Sequence, residues 1–288
     1  MQDETLIQEI EERMDHLQVP FNSLGLDPYG LSKRHIRWFI SFLGVFYKHY
    51  FKVKVFGMEH VPKEGRTMVI GNHSGGLPVD GGMVLASMFF EMNPPRWVHG
   101  MVEKFANNWP IVSQMFSRAG QFTGLPENAI RLLEDERMLM VFPEGARGVG
   151  KLYKDRYKLV RFGTGFMRLA LQTKTPIIPV AFIGGEEAFP TVYHLRTLAK
   201  LIRAPYVPVS SHLVPFPKPV ECSLHYGRPL VFEGTGNEDD WVIQGYVEQV
   251  RDSIGVLLRE GLADRGWDVP EWAGQHADDP AWFRRRRR

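Results

Sequence analysis

A histidine-bearing loop holds the residue types that proton transfer requires. His73 follows the apolar run at 67–70, and Gly75, Gly76 and Asp80 come after it. A neutral imidazole can accept a proton from a hydroxyl, and a carboxylate bonded to its other ring nitrogen fixes the tautomer. The glycines allow a substrate to approach the backbone closely. Taken alone, these residues fit a general base with Asp80 as its partner, but they also fit an ordinary loop histidine.

A second polar loop follows the apolar run at 138–142. It contains Glu144, Gly145 and Arg147, and basic residues continue to Arg161. The planar guanidinium of arginine suits phosphate oxygens, so this loop could face a phosphate-bearing substrate. A surface ion pair followed by a solvated basic loop is the alternative.

Strands and helices alternate along the chain, and this alternation predicts where the two loops lie. Short apolar runs and amphipathic helical segments alternate between about 66 and 183, which is typical of a largely parallel sheet flanked by helices. Because parallel strands end at the same edge of a sheet, Glu144 and Arg147 should emerge beside His73. We also expect an edge strand at 224–232, a long helix at 241–262 and a tail after Gly266.

The first 54 residues predict helices at a membrane surface. Residues 3–17 have an acidic amphipathic pattern, and residues 33–51 form a helix with cationic ends and with Trp38 and Phe42 between them. Its apolar stretch is too short to cross a bilayer. A helix packed in the core of a soluble protein fits the same pattern. The arginines at 284–288 fit either attachment to anionic lipid or a disordered tail.

Several classes of protein are excluded by what the sequence lacks. Cys222 is the single cysteine, so there is no disulfide framework, and no Cys/His spacing predicts a metal site. There is no phosphate-binding Gly-Lys loop and no dinucleotide fingerprint. No basic face with interleaved aromatic residues suggests nucleic acid as a partner. The acidic N-terminus lacks a secretory signal, so we expect a protein inside the cell.

The two loops together resemble those of the glycerolipid acyltransferase family. The resemblance lies in an Asn72-His73 loop followed some seventy residues later by Phe-Pro-Glu-Gly-x-Arg, which ends at Arg147. It continues at 161–165, similar to a Lys-x-Gly helix start, and at 175–182, similar to a late Pro-rich strand, and it covers about 55–235. This family includes the enzymes that acylate lysophosphatidic acid.

The resemblance implies a fold, a division of the chain and a set of site residues. The fold is α/β, with a single domain whose largely parallel sheet is flanked by helices, glycerol-3-phosphate acyltransferase-like, with N-terminal membrane-associating helices. The divisions are 1–54 for those helices, 55–265 for the acyltransferase domain and 266–288 for a basic tail. His73 would be the general base and Asp80 its partner. The implied substrate-binding residues are Asn72, Gly75, Gly76, Glu144, Gly145 and Arg147.

The implied reaction is direct transfer of a fatty acyl group to the hydroxyl of a lysophospholipid. The donor would be acyl-CoA or an acyl carrier protein, and neither a metal nor another cofactor is needed. Backbone N–H groups near Gly75 and Gly76 would hold the oxyanion. The enzyme would lie on the cytoplasmic face of a phospholipid membrane, as a peripheral or monotopic protein.

Two departures from the family's pattern affect these expectations. Six residues separate His73 from Asp80 where the family usually has four, so the pair forms only if the glycines fold a compact turn. The family's phosphate-gripping arginine is also missing, because the matching stretch at 122–125 reads Phe-Thr-Gly-Leu. Arg118, Lys104 or Arg161 could replace it. A neutral acceptor such as diacylglycerol is the alternative.

Two further functions compete with acyl transfer. A lipid-ester hydrolase would use Ser74 as its nucleophile, but Gly-Asn-His-Ser-Gly is not the Gly-x-Ser-x-Gly of a nucleophile elbow. An inactive membrane adaptor would keep the fold and bind lipid without consuming a thioester.

Overall fold

The central sheet is built from the apolar runs of the sequence. The computed structural model describes residues 2–76, 79–102, 116–201, 206–214 and 216–277. In this part of the chain, β2 (Thr67–Gly71) and β6 (Ile177–Ile183) are buried along their whole length, because the sheet is covered on both faces. The other strands of this sheet are β1 (Lys54–Phe56), β3 (Val98–Val102), β4 (Gln121–Thr123), β5 (Met138–Val141) and β9 (Ser223–Tyr226).

The seven strands lie in the order β1-β9-β6-β2-β5-β3-β4. Neighbouring strands are parallel except for the antiparallel pair β6 and β9, which confirms the predicted, largely parallel sheet. The expected edge strand at 224–232 was wrong in position and length. Strand β9 ends at Tyr226 and lies between β1 and β6, because Lys54–Phe56 pairs with its outer side.

Helices cover both faces of the sheet. On one face lie α1 (Gln2–Asp15), α2 (Lys33–Val45) and α3 (Val79–Phe90), and on the other lie α4 (Pro126–Glu134), α6 (Gly165–Thr173) and α9 (Asp240–Asp264). Strand β2 shows why both faces are apolar. Val69 packs into the core under α1, α2 and α3, and Met68 and Ile70 pack into the core under α4, α6 and α9. The single-domain α/β fold is therefore confirmed.

The N-terminal helices are part of this core. Ile36 and Ile40 of α2 are fully buried, whereas Trp38 and Phe42 on its opposite side are more than half exposed. The helix continues as a π-helical turn, Phe46–Tyr50. One side of α2 thus fits the core-packed interpretation and the other keeps the apolar surface that the membrane prediction needs. None of the helices in the described part of the chain is long and apolar enough to cross a bilayer.

Acidic side chains of α1 neutralise much of the positive charge of this helix. Lys33 pairs with Asp15 at 3.5 Å, Arg37 pairs with Glu11 at 2.6 Å, and Lys48 pairs with Glu9. The two oppositely charged segments seen in the sequence therefore face each other. The apolar side chains, more than the cations, distinguish the outer side of α2.

A small hairpin interrupts the chain between β6 and β9. Strands β7 (Thr191–His194) and β8 (Pro208–Ser210) pair antiparallel, and a short helix, α8 (Arg196–Leu201), follows β7. A one-turn helix, α7 (Gly185–Ala188), joins β6 to this hairpin. None of these elements is predicted by the sequence patterns.

The predicted tail after Gly266 requires correction, because its first part is packed against the domain. Leu159 donates its N–H to the carbonyl of Gln275 (2.9 Å), and Ala277 donates to the carbonyl of Leu159 (2.8 Å). Ala273 is fully buried. Trp272 and Ala273 supply apolar surface in this segment, although the arginines at 284–288 dominate the composition of this end of the sequence. The domain therefore extends at least to residue 277. The arginines at 284–288 lie outside the described residues.

Candidate active site

His73 and Asp80 form the polar centre at the end of β2. The Nδ1 atom of His73 lies 2.7 Å from Oδ2 of Asp80, so the ring donates this proton to the carboxylate. The imidazole stacks on Phe142, with ring centroids 4.6 Å apart. Its side chain is 15% exposed, whereas that of Asp80 is fully buried. The ring is therefore oriented by its neighbours and remains accessible.

Two glycines bring the carboxylate back to the histidine despite the longer spacing. Gly75 and Gly76 have φ angles of +86° and +66°, which side chains disfavour. A Cβ at position 75 would lie 2.5 Å from the carbonyl oxygen of Gly185, and one at position 76 would lie 2.5 Å from Oγ1 of Thr191. The turn thus needs glycine for both conformation and space.

The Asp80 carboxylate is held by backbone donors as well as by the histidine. The N–H of Ser74 donates to Oδ2 at 2.9 Å, and the N–H of Gly81 donates to Oδ1 at 2.8 Å. Asp80 lies in the first turn of α3, where the helix dipole favours negative charge. These contacts keep the carboxylate in place to stabilise an imidazolium.

The second ring nitrogen of His73, Nε2, points away from Asp80. No hydrogen bond engages Nε2 within the residues that the structure describes. With the proton on Nδ1, Nε2 is the acceptor in the neutral ring. The arrangement can therefore take a proton from a hydroxyl group.

Glu144 supports the histidine from below instead of lining a substrate wall, which corrects the expectation from the sequence. Its side chain is fully buried. Oε1 accepts the backbone N–H of His73 at 2.8 Å, and Oε2 accepts that of Val160 at 3.0 Å. Since both oxygens are used, Glu144 ties the loop of β5 to the loop of β2.

Behind Glu144 lies a buried charge network that the sequence patterns do not predict. Lys151 Nζ lies 3.5 Å from Glu144 and 3.7 Å from Glu186, and it donates to the carbonyl of Lys158 at 2.7 Å. Burial raises the pKa of Glu186 to about 7. The sequence places Lys151 among the basic residues after Arg147, which predict a phosphate-facing cationic surface or a solvated loop, whereas its side chain is buried. A single lysine compensating two buried carboxylates cannot be recognised from spacing.

Asn72 also has a structural role, so its assignment as a substrate ligand is corrected. Its Nδ2 donates to the carbonyl of Phe182 at 3.1 Å, and its Oδ1 accepts the N–H of the same residue at 2.8 Å. The side chain is fully buried and joins β2 to β6 beyond their last paired residues.

Ser74 is placed where it cannot act as a nucleophile. The residue is fully buried, and a Cβ at Gly185 would come within 2.6 Å of its Oγ. The hydrolase alternative therefore lacks an accessible serine at this position.

The expected oxyanion donors are reduced to one. The N–H of Gly76 donates to the carbonyl of Val149 at 3.1 Å, so it is not available for a substrate. The N–H of Gly75 is the remaining candidate of the two.

The predicted basic ligands that the structure describes lie in different parts of the fold. Arg147 is half-buried, and its Nε donates to the carbonyl of Glu144 at 3.2 Å. Arg161 is exposed. On either side of it, the N–H of Val160 donates to Glu144 and the N–H of Gly163 donates to the carbonyl of Pro143. Arg118 is exposed, and its carbonyl accepts the N–H of Ser32, which places its backbone against the N-terminal loop. Lys104 lies outside the described residues.

Two glycines shape the second loop. Gly145 adopts φ +55° and ψ −149°, a region open to glycine, as it starts the short helix α5 (Ala146–Val149). Gly148 packs on the site itself, since a Cβ there would lie 2.8 Å from the carbonyl oxygen of His73 and 2.7 Å from Cβ of Glu144. Gly148 was not singled out from the sequence, although it ends the Glu-Gly-Ala-Arg-Gly motif.

All four motifs quoted from the sequence meet at this sheet edge. The loops after β2 and β5 join through Glu144, the 161–165 segment bonds to Pro143, and β6 bonds to Asn72. Within the described residues no cluster of His, Cys, Asp and Glu could hold a metal ion. The centre contains an oriented imidazole that can accept a proton.

Comparison with known proteins identifies the family. A model described as Acyltransferase matches residues 52–183, which contain His73, Asp80 and the Glu144 loop. An uncharacterised protein of Mycobacterium leprae is 34% identical over 256 residues, covering 85% of this chain and 68% of that protein. A 1-acyl-sn-glycerol-3-phosphate acyltransferase of Limnanthes douglasii is 26% identical, covering 69% of this chain and 61% of that protein.

Two further comparisons concern lipid enzymes. A "DGAT1/2-independent enzyme synthesizing storage lipids" of Bos taurus is 24% identical, covering 71% of this chain and 58% of that protein. The crystal structure of the lysophosphatidic acid acyltransferase PlsC from Thermotoga maritima matches with a TM-score of 0.54 at 18% identity, covering 82% of this chain and 81% of that chain. The matched fold, the matched segment 52–183 and the His73–Asp80 pair within that segment all indicate the same family. The chain belongs to the acyltransferase family and is an acyltransferase with a PlsC-like fold.

Proposed function

We propose that the protein transfers a fatty acyl group from a thioester donor to a lipid hydroxyl, with His73 as the general base. The contact that supports this most directly is the 2.7 Å hydrogen bond from His73 Nδ1 to Asp80. It fixes the tautomer in which Nε2 is free to accept a proton, and Asp80 stabilises the charged ring that results.

The reaction proceeds without a covalent enzyme intermediate. Nε2 of His73 takes the proton of the acceptor hydroxyl while the oxygen attacks the thioester carbonyl. The tetrahedral oxyanion is held by N–H donors, to which Gly75 contributes. The carbon–sulfur bond then breaks, and the imidazolium returns its proton to the leaving thiolate.

The acyl donor is acyl-CoA or an acyl carrier protein, and no other cofactor takes part. The first candidate acceptor is a lysophospholipid such as lysophosphatidic acid. Arg147 and Arg161 support it, because both flank the Glu144 loop and can pair with phosphate. The plant relative named for acylation of 1-acyl-sn-glycerol-3-phosphate points to the same acceptor.

A neutral acceptor such as diacylglycerol is the second candidate. Residues 122–125 read Phe-Thr-Gly-Leu and contain no arginine. The bovine relative is named for the synthesis of storage lipids. The two candidates differ in charge, so they can be separated by one panel of acceptors.

The enzyme works at the cytoplasmic face of a phospholipid membrane. The outer side of α2, where Trp38 stacks on Phe42, is exposed and apolar, as a helix lying at the headgroup boundary should be. Both the acceptor and the fatty acyl chain are found at such a surface.

The test is an acyl-transfer assay on purified protein with labelled acyl-CoA or acyl carrier protein. Lysophosphatidic acid, other lysophospholipids and diacylglycerol serve as acceptors. Replacing His73 by Ala should lower the rate by at least about a hundredfold, since a positioned base contributes at least that much. His16, an exposed histidine at the end of α1, provides the matched control: His16→Ala should retain the wild-type rate.

The outcomes distinguish the alternatives. Equal rates for wild type and His73→Ala would refute the proposed base. Membrane binding with no thioester consumed in any mixture would favour the adaptor. A preference for diacylglycerol over every lysophospholipid would select the neutral acceptor.

A further inference from the structure

The hairpin between β6 and β9 exposes an unusual amount of apolar side chain. We call the outer surface of residues 191–201, 206–214 and 216 the hairpin face. Eight large apolar side chains on these residues are between 41% and 81% exposed. Six of them are Val192, Tyr193, Leu195, Leu198, Leu201 and Leu213. Apolar side chains gathered on one segment usually mark a surface that is covered in the working protein.

The charge of the hairpin indicates which kind of surface covers it. From 188 to 220 the sequence contains no Asp or Glu, whereas it contains Arg196, Lys200, Arg203 and Lys218. Cationic residues among exposed leucine, valine and tyrosine complement an anionic lipid headgroup layer with an apolar interior. A water-exposed loop would instead carry both signs of charge.

The hairpin face is continuous with the exposed side of α2. Phe216 packs against Phe46 with ring centroids 6.1 Å apart, and Phe46 in turn packs against Phe42 at 5.0 Å. Phe42 stacks on Trp38 at 6.3 Å. The hydroxyl of Tyr50 also donates to the carbonyl of Pro217 at 2.6 Å. One row of aromatic rings thus joins the two apolar surfaces.

The base of the hairpin contacts the catalytic loops. Phe189 and Thr191 close on the Gly76 turn so tightly that a Cβ at Gly76 would lie within 2.6 Å of both. Nε2 of His194 lies 2.9 Å from the carbonyl oxygen of Gly150, at the end of the Glu144 loop. Any surface that contacts the hairpin face therefore lies next to the site.

We propose that the hairpin face is a second membrane-contact surface, which inserts into an anionic bilayer beside the catalytic loops. This contact would hold the mouth of the site against the lipid layer that contains the acceptor, a role that rests on the proposed function. The contact itself is independent of catalysis and can be measured without a substrate.

The chain offers a clean way to label this surface. Its single cysteine, Cys222, is fully buried, and burial raises the pKa of the thiol to about 12, so the native thiol should not react. Leu201→Cys and Leu213→Cys each introduce one accessible thiol for a polarity-sensitive fluorophore. Val231→Cys and Trp241→Cys are matched controls, because these residues are equally exposed, at 76% each, on other elements.

Labelled proteins are mixed with vesicles of phosphatidylcholine containing phosphatidylglycerol. Labels at 201 and 213 should shift to the blue and become protected from iodide, while labels at 231 and 241 should stay quenched. If the protein sediments with the vesicles and all four labels remain quenched, the proposal is wrong and α2 alone makes the contact. A shift that appears on concentrating the protein without vesicles would also overturn it, in favour of a second copy of the chain.

A functional arm separates this proposal from the proposed function. The double variant Leu201→Glu, Leu213→Glu should lose about tenfold in rate on an acceptor embedded in vesicles, because the cost of inserting charge weakens partitioning. Its rate on a short-chain acceptor dissolved as monomers should match the wild type, as should both rates of Val231→Glu, Trp241→Glu. Equal rates for the two double variants on vesicles would refute the hairpin contact, whereas loss of all transfer in the wild type would refute the enzyme function instead.

Discussion

The histidine and aspartate at the end of β2 owe their pairing to residues around them. Asp80 receives three N–H donors, and only one comes from the imidazole. Asparagine has nearly the same shape but no charge, and its NH₂ group cannot accept an N–H. It therefore removes the stabilisation of the imidazolium together with one of these hydrogen bonds.

Replacing Asp80 by Asn should therefore reduce kcat with little change in KM. We expect a loss of about a hundredfold to ten-thousandfold, the range found when an orienting carboxylate of a histidine base is made neutral. Steady-state kinetics of the purified variant would measure this, with a thermal unfolding curve as the control for folding. An unchanged kcat would show that the carboxylate only fills space.

Gly148 provides a test of how closely the two loops are packed. Gly148→Ala places a methyl group against the backbone of His73 and the side chain of Glu144, so one of the loops must move. We expect kcat to fall on the order of tenfold to a hundredfold and stability to fall by about 1–3 kcal/mol. Gly165→Ala is the control, because a Cβ there meets nothing within 4 Å. Equal kinetics for the two variants would contradict the described packing.

At this scale the sequence predicted the hydrogen-bonded pair better than the residues that hold it in place. His73, Asp80 and the glycine turn were recognised because each residue type has a local reason to be there. Glu144 and Asn72 were recognised as important but given the wrong contacts, since a buried carboxylate or amide looks the same in sequence as an exposed one. Lys151 was missed for the same reason.

Among the elements, α2 illustrates why a single interpretation of an apolar helix was insufficient. Its inner side completes the core through Ile36 and Ile40, so deleting residues 33–54 would damage the fold along with any membrane contact. Only exposed side chains can be changed to test attachment alone.

The double variant Trp38→Ser, Phe42→Ser should remain folded and bind anionic vesicles several-fold less tightly. Exposed substitutions usually change the free energy of unfolding by no more than about 0.5 kcal/mol. Vesicle sedimentation measures the binding, and Trp241→Ser controls for loss of an exposed tryptophan elsewhere. If the variant sediments as fully as the wild type, α2 does not contribute to attachment.

Elements with strong periodicity were predicted well, and short ones were not. The buried strands and the closing helix α9 lie where their patterns indicated. The hairpin strands β7 and β8 were not predicted because they are only four and three residues long, too short for a period-two pattern to be recognised. The position of β9 could not be foreseen, because its partners are far away in sequence and strand order is set by tertiary packing.

For the molecule as a whole, the network behind the site links stability to pH. The buried Glu186 has a raised pKa of about 7, against an ordinary value of 4.5. Between these values the folded protein holds a proton that the unfolded chain releases. The free energy of unfolding therefore falls as pH rises through this window.

Glu186→Gln should flatten this dependence, because the amide cannot titrate. Denaturant unfolding between pH 4.5 and 7.5 should show a difference in slope that accumulates to about 3 kcal/mol. The exposed Glu260→Gln serves as the control and should follow the wild type. A wild-type stability that rises steadily across this interval, in parallel with Glu186→Gln, would contradict the assignment.

The position of β9 also determines the order in which the chain can fold as it is synthesised. Strand β1 has a single neighbour in the sheet, and that neighbour is built from residues 223–226. While the ribosome is still extending the chain towards residue 226, Lys54–Phe56 has no strand to pair with, and β6 has one open side. The sheet can be completed only late in translation. The nascent protein must therefore keep these edges from aggregating until most of its length has emerged.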